Sequence, residues 1–139
     1  ADGTTDIINL HTRTGDIGYR IVKFNIMHAE PGQQTAEHTV KIYKVDPSTG
    51  PSWVPDNAVD FSDKSLRGAA YLAEHHMETY PLVSVQIFDN EVFNQDIYVT
   101  HSDTEGTQPC NYYIELEMIR LDLNENTVAT LKDIRNTAQ

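Results

Sequence analysis

Histidine is the side chain that most readily serves acid–base and metal chemistry near neutral pH, and the chain carries six. The adjacent pair is His75-His76. Neighbours on a strand point to opposite faces, and neighbours on a helix diverge by about 100°, so neither geometry turns both rings toward one ion. The spacings that would do so are His-x-His on a strand and His at i and i+4 on a helix, and neither occurs. The His and Glu spacing of cupin enzymes is also missing. The pair therefore reads as solvated or interface histidine, with no metal site and no cofactor expected.

The acids give the next pattern. Asp89, Glu91 and Asp96 lie close together, with Asn90 and Asn94 among them. An oxygen-rich stretch of this kind can hold Ca²⁺. It has no EF-hand pattern, and turns between strands collect Asp and Asn to bond their own backbone, so a turn is the plainer reading. Asp103 and Glu105 beside Gly106 are a weaker version of the same thing.

Nucleophilic and phosphate chemistry find no support. Gly-x-Ser-x-Gly is absent. Cys110, the single cysteine, follows Pro109 at a loop–strand junction and reads as a packing residue rather than a reactive thiol. Gly15 and Gly18 are not followed by the Lys-Ser/Thr of a phosphate loop. A glycosidase needs two facing carboxylates, and 21 acids leave any such pair unidentifiable. The expectation is that the chain is not an enzyme. Among the aromatics, Trp53 between Pro51 and Pro55 stands out, with Tyr43, Tyr71, Tyr80, Tyr98 and Tyr113 as companions for a sugar platform. A tryptophan in a rigid loop more commonly anchors that loop or an interface.

The elements that must position these residues follow mainly the strand period of two. A first short strand is expected over 5–12, then a turn at Thr14–Gly18. A longer strand over 19–28 places Val22, Phe24 and Ile26 on one face, and Lys23 and Asn25 on the other. Pro31-Gly32 breaks the chain. Residues 37–46 alternate again, Val40 and Ile42 against Thr39 and Lys41. A turn cluster over 46–51 leads to the Trp53 loop and a short strand over 58–61.

Residues 65–80 admit two readings. One is a helix capped by Ser65 and running through Leu66, Ala69, Ala70 and Ala73; the other is a strand around 69–72. Strand character returns with Val83, Val85 and Ile87 on one face, and then with Ile97, Val99 and His101 on one side. Ser102 to Pro109 is a polar loop. The longest strand is expected over 111–121, with Tyr112, Ile114, Leu116 and Met118 facing one way and Tyr113, Glu115 and Glu117 the other. Asn124 then caps a short helix over 124–136, stapled by Leu123 and Val128, with Glu125 early and Lys132 and Arg135 late.

About seven or eight strands with turn signals between them predict an antiparallel β-sandwich or barrel, and a jelly-roll-like sandwich is the leading form. A chain of 139 residues fits a single domain over 1–139, with residues 1–5 as an extended arm. At that length roughly two thirds of the unfolded surface can be buried without a metal or disulfide.

The net charge is −11. An acidic surface is repelled by phosphate backbones and anionic lipid, so neither nucleic acid nor membrane is an expected partner. One cysteine rules out a disulfide framework and points to a reducing compartment. The start at Ala1 has no signal-peptide pattern and reads as a cytosolic beginning after removal of an initiator methionine.

Four segments carry a family likeness: Asp6–Gly15, Phe88–His101, Asn111–Glu117 and Thr127–Arg135. Together, and over nearly the whole chain, they resemble a family of small virion-associated proteins of marine tailed bacteriophages. What the resemblance implies is placement rather than chemistry. The chain would be a virion structural protein assembled in the host cytoplasm. It would act as a capsid decoration or cement subunit, or else as a receptor- or carbohydrate-binding module of a tail or fibre. Its partners would be other virion proteins, the major capsid protein first among them, and further copies of itself. Interface candidates on that reading are Trp53, Tyr113, Arg13 and Arg20.

Overall fold

A computed structural model describes residues 5–10, 15–32, 36–48, 53–73, 82–88, 90–106 and 108–121. Seven strands run through them: β1 (Thr5–Ile8), β2 (Ile17–His28), β3 (Glu37–Tyr43), β4 (Leu66–Ala73), β5 (Leu82–Ile87), β6 (Ile97–Asp103) and β7 (Cys110–Arg120). They form two antiparallel sheets, one of five strands in the order β1-β6-β3-β4-β5 and one of two, β2-β7. The run β6-β3-β4-β5 is a Greek-key order, in which the fourth strand returns beside the first. A jelly roll wires eight strands through two Greek keys, and the described strands show one such order. Thr5 pairs with Thr100, so it belongs to β1 rather than to an arm. The rest of the expected arm and the expected helix over 124–136 lie outside the described residues, among which there is no helix.

The two sheets share one core. Ile21, Phe24 and Ile26 of β2 meet Val40, Ile42, Ala70, Leu72, Ile97 and Val99 of the larger sheet, with Phe93 between them. Tyr112, Ile114 and Leu116 of β7 add their half-buried sides. Phe93 is fixed by paired backbone bonds to the start of β2, Tyr19 N–H to Phe93 O at 2.7 Å and Phe93 N–H to Tyr19 O at 2.9 Å.

Three expectations need correction, and a fourth, left open between two readings, is decided. The first is the face of β2. Ile21 opposes Leu116 and Lys23 opposes Glu115, so Val22 is the extra residue of a β-bulge. The bulge turns Ile21 into the core, 1% exposed, and leaves Val22 at 46%. The second is length: β2 has 12 residues and β7 has 11, so β7 is not the longest strand. Met118, expected on the inward face of β7, is 64% exposed near the strand end.

The third is the strand over 58–61, which does not form. Asp56, Asp60 and Asp63 each accept the backbone N–H two residues on, from Ala58, Ser62 and Ser65. Aspartates bonded in this way offer the chain a turn in place of a ladder. The segment lies against β3, where Lys41 Nζ donates to Asp56 Oδ1 at 2.8 Å and to Ala58 O at 2.7 Å. It thereby buries Thr39 and Lys41, although their face alternates as expected.

The fourth concerns residues 65–80. Their described part is the strand β4, paired on both sides, which settles 66–73 against the helical reading. Alanine favours a helix locally, but here the segment pairs with β3 and β5, and Ala70 and Leu72 enter the core. A side chain at Gly68 would start 3.4 Å from Ile42 and 3.5 Å from Phe24. Tertiary packing overrides the local preference.

Candidate functional site

Three strands bring histidine to one end of the core. His28 closes β2 in phase with Ile26, His38 opens β3 in phase with Val40, and His101 lies on β6 in phase with Val99. His38 Nδ1 is 2.8 Å from His101 Nε2, and His38 Nε2 is 2.9 Å from His28 Nδ1. His28 meets His38 edge-on at 4.6 Å between centroids, while His101 stacks on His38 at 5.1 Å. His28 and His38 are 1% and 0% exposed, and His101 is half-buried. Two neighbours complete the cluster. Cys110 is the cross-strand partner of His28, and Asp103 is that of His38.

The chemistry of this row follows from its central ring. Neutral imidazole has one N–H and one lone pair, so His38 donates to one neighbour and accepts from the other. The row is therefore directional, running from His28 to His101 or the reverse. Burial lowers the pKa of His38 to about 4, with His28 and His101 adding to the effect and Asp103 partly opposing it. Burial pushes the Cys110 thiol up to about 11, so Cys110 is not an activated nucleophile in this setting. One ring nitrogen each of His38 and His101 and the Cys110 sulfur lie within 4.8 Å of one another, which makes them a possible ligand set for one metal ion.

The sequence analysis read Cys110 as a packing residue and placed His101 beside Ile97 and Val99, but it did not bring them together with His28 and His38, which lie on other strands. A signal was nonetheless present. Each histidine sits in phase with the apolar residues of its own strand, so each is aimed inward.

A second feature lies on the outer face of the larger sheet. A groove of about 330 Å³ is lined by Thr39, Ser84, Gln86 and Ser102 together with Ala69 and Tyr71. Asn57, Val59 and Phe61 from the aspartate-turn segment form its wall. The Phe61 ring is 60% exposed and stands edge-on to Phe88 at 5.6 Å.

The residues expected to form an interface do not gather at either place. Tyr113 and Arg20 lie on the outer face of the two-stranded sheet. Tyr113 is 53% exposed, its hydroxyl donates to Glu115 at 2.7 Å, and Lys23 lies over its ring. Arg20 is bound across the strand pair to Glu117 at 2.7 Å. Trp53 is half-buried in the covering segment rather than displayed as a platform. Arg13, His75, His76 and Asp89 lie outside the described residues. Of the oxygen-rich stretch, Asp96 accepts Leu10 N–H at 2.8 Å and so ties the end of β1 to the loop before β6. No family model matches the chain, and neither a curated protein nor a solved structure matches it.

Proposed function

We propose that this chain is a virion structural protein, a capsid decoration or cement subunit that binds the major capsid protein and further copies of itself. The reading includes a jelly-roll-like sandwich with a helix over 124–136, and no catalytic role. The observation that carries the assembly is β5. Among the described residues this strand ends the larger sheet, and its inner-face residues Val83 and Val85 are 49% and 37% exposed. Leu82 at its start is 60% exposed. Its sequence, Leu-Val-Ser-Val-Gln-Ile, has no charge and no proline, the usual guards of an edge strand.

The opposite edge is different. Asp6 of β1 accepts the Tyr112 hydroxyl at 3.0 Å, which ties that edge to the second sheet. In a chain of net charge −11, the neutral β5 is where a second copy can approach with least repulsion. Two β5 strands can then pair by strand addition about a two-fold axis. A cement subunit binds the assembled shell in preference to the open one, and so stabilises it by mass action. The family resemblance supplies the phage context, and the acidic charge suits an outer surface away from packaged DNA.

Sedimentation and cryo-electron microscopy test this. The purified chain should be a dimer or larger, and Val85→Lys should make it monomeric with unchanged strand circular dichroism. Cryo-electron microscopy of the particle should show this domain in a regular lattice over the shell. A wild-type monomer and no lattice density would reject the proposal. The groove beside Phe61 favours a second reading, a carbohydrate- or receptor-binding module of a tail or fibre, since an exposed ring beside hydroxyl and amide groups is what a sugar needs. Density at tail tips, with glycan binding lost in Phe61→Ala, would select it.

A further inference from the structure

We propose that His38, His101 and Cys110 bind one transition-metal ion of the zinc class, and that His28 positions His38 for it. The first support is geometric. Two ring nitrogens 2.8 Å apart are hydrogen-bonded when one of them carries a proton. When His101 takes its other tautomer, the proton passing from Nε2 to Nδ1, the two facing lone pairs are free for an ion. With Zn–N distances of about 2.0–2.1 Å, nitrogens at this separation subtend an angle a little under 90°, and a separation of about 3.3 Å gives the tetrahedral angle. A shift of about half an ångström is all the two rings require. The Cys110 sulfur lies within 4.8 Å of one ring nitrogen of each histidine, and binding the ion requires it to close on that pair.

The second support is the outer hydrogen bond. A ligating imidazole uses its other nitrogen to donate to a partner, which fixes its tautomer. His28 Nδ1, 2.9 Å from His38 Nε2, is placed to accept that N–H. The lone pair of His38 Nδ1 then points at His101.

The third support is charge. A dication in a largely buried site needs compensation. Cys110 supplies one negative charge as it gives its proton to solvent and binds as thiolate. The Asp103 carboxylate, buried opposite His38, supplies a second nearby. Two imidazoles and a thiolate select zinc-class ions over Ca²⁺ and Mg²⁺, which require oxygen. The ligands come from both sheets, His38 and His101 from the larger and Cys110 from the smaller, so the ion braces one sheet against the other.

The test uses the full chain, freed of metal by chelation and kept reduced. Cobalt(II) is titrated in as the probe. Wild type should take up one equivalent with tetrahedral visible bands and a near-ultraviolet thiolate-to-cobalt band. Zinc should displace the cobalt and raise the melting temperature. Cys110→Ser, at a half-buried position, should remain folded by circular dichroism and lose the thiolate band and the zinc-dependent rise. His28→Leu should weaken binding roughly 10–100-fold, and His28→Asn, which can still accept a hydrogen bond, should recover part of it. Folded wild type that takes up no cobalt would overturn the proposal. So would a cobalt spectrum unchanged in Cys110→Ser, or a His28→Leu variant that binds as tightly as wild type.

Discussion

An imidazole withdrawn from water loses the solvation of its charged form, and His38 shows the consequence. Its pKa falls from 6.5 to about 4, chiefly by burial and then by the two neighbouring rings. In the metal-free protein the sign follows directly. Above about pH 7 the ring is neutral in both the folded and the unfolded chain and contributes nothing to the pH dependence. Between 6.5 and about 4 the unfolded chain binds a proton that the folded chain refuses, so stability falls as pH falls and levels off below 4. The loss across that window is on the order of 3 kcal/mol. Urea midpoints measured from pH 7.5 to 4 should show it, and His38→Gln should remove it. The difference between the two proteins cancels the carboxylates that titrate in the same range. Equal slopes for both would mean that His38 is charged when folded. At this scale the phase of each histidine was legible and their meeting was not, since it depends on pairings between strands distant in sequence.

At the scale of the element, most strands were legible because alternation is local. The expected inner residues of β3 and β6, Val40, Ile42, Ile97 and Val99, lie in the core, β7 alternates up to Leu116, and Pro31-Gly32 marks a real turn, with Gly32 at φ 82°. Two local errors and one open choice have separate causes. Asp60 and Asp63 bond their own backbone and remove a strand. Gly68 and its alanine neighbours suit a helix as well as a strand locally, and pairing with β3 and β5 decides for the strand. The bulge at Val22 has no glycine to announce it. That last error is the most readily tested, because the two registers exchange the costs of adjacent substitutions. Ile21→Ala should cost about 2–5 kcal/mol, since it removes a buried side chain. Val22→Ala should stay within about 0.5 kcal/mol, as at an exposed site. Chemical denaturation of both variants decides between the registers. A large loss at Val22 with little at Ile21 would restore the unbulged strand.

At the scale of the whole molecule, charge and apolar surface pull against each other. A net charge of −11 would drive copies apart, while the exposed Leu82, Val83 and Val85 of β5 would draw them together in the proposed pairing. The two forces differ in how they answer to salt. Repulsion between exposed like charges is screened as the Debye length shrinks, to about 10 Å at 0.1 M and 30 Å at 0.01 M. Burial of Leu82, Val83 and Val85 is nearly indifferent to salt in that range. Self-association through β5 should therefore tighten as ionic strength rises from about 0.02 to 0.2 M. Sedimentation equilibrium at a series of salt concentrations gives the dissociation constant directly. The alternative surface predicts the opposite sign. The outer face of the two-stranded sheet carries Arg20, Lys23, Glu115 and Glu117, and copies joined there would be held by ion pairs that salt weakens. Tightening with salt, abolished by Val85→Lys, assigns the contact to the neutral edge strand. Weakening with salt assigns it to the charged face, and with it to Arg20 and Tyr113.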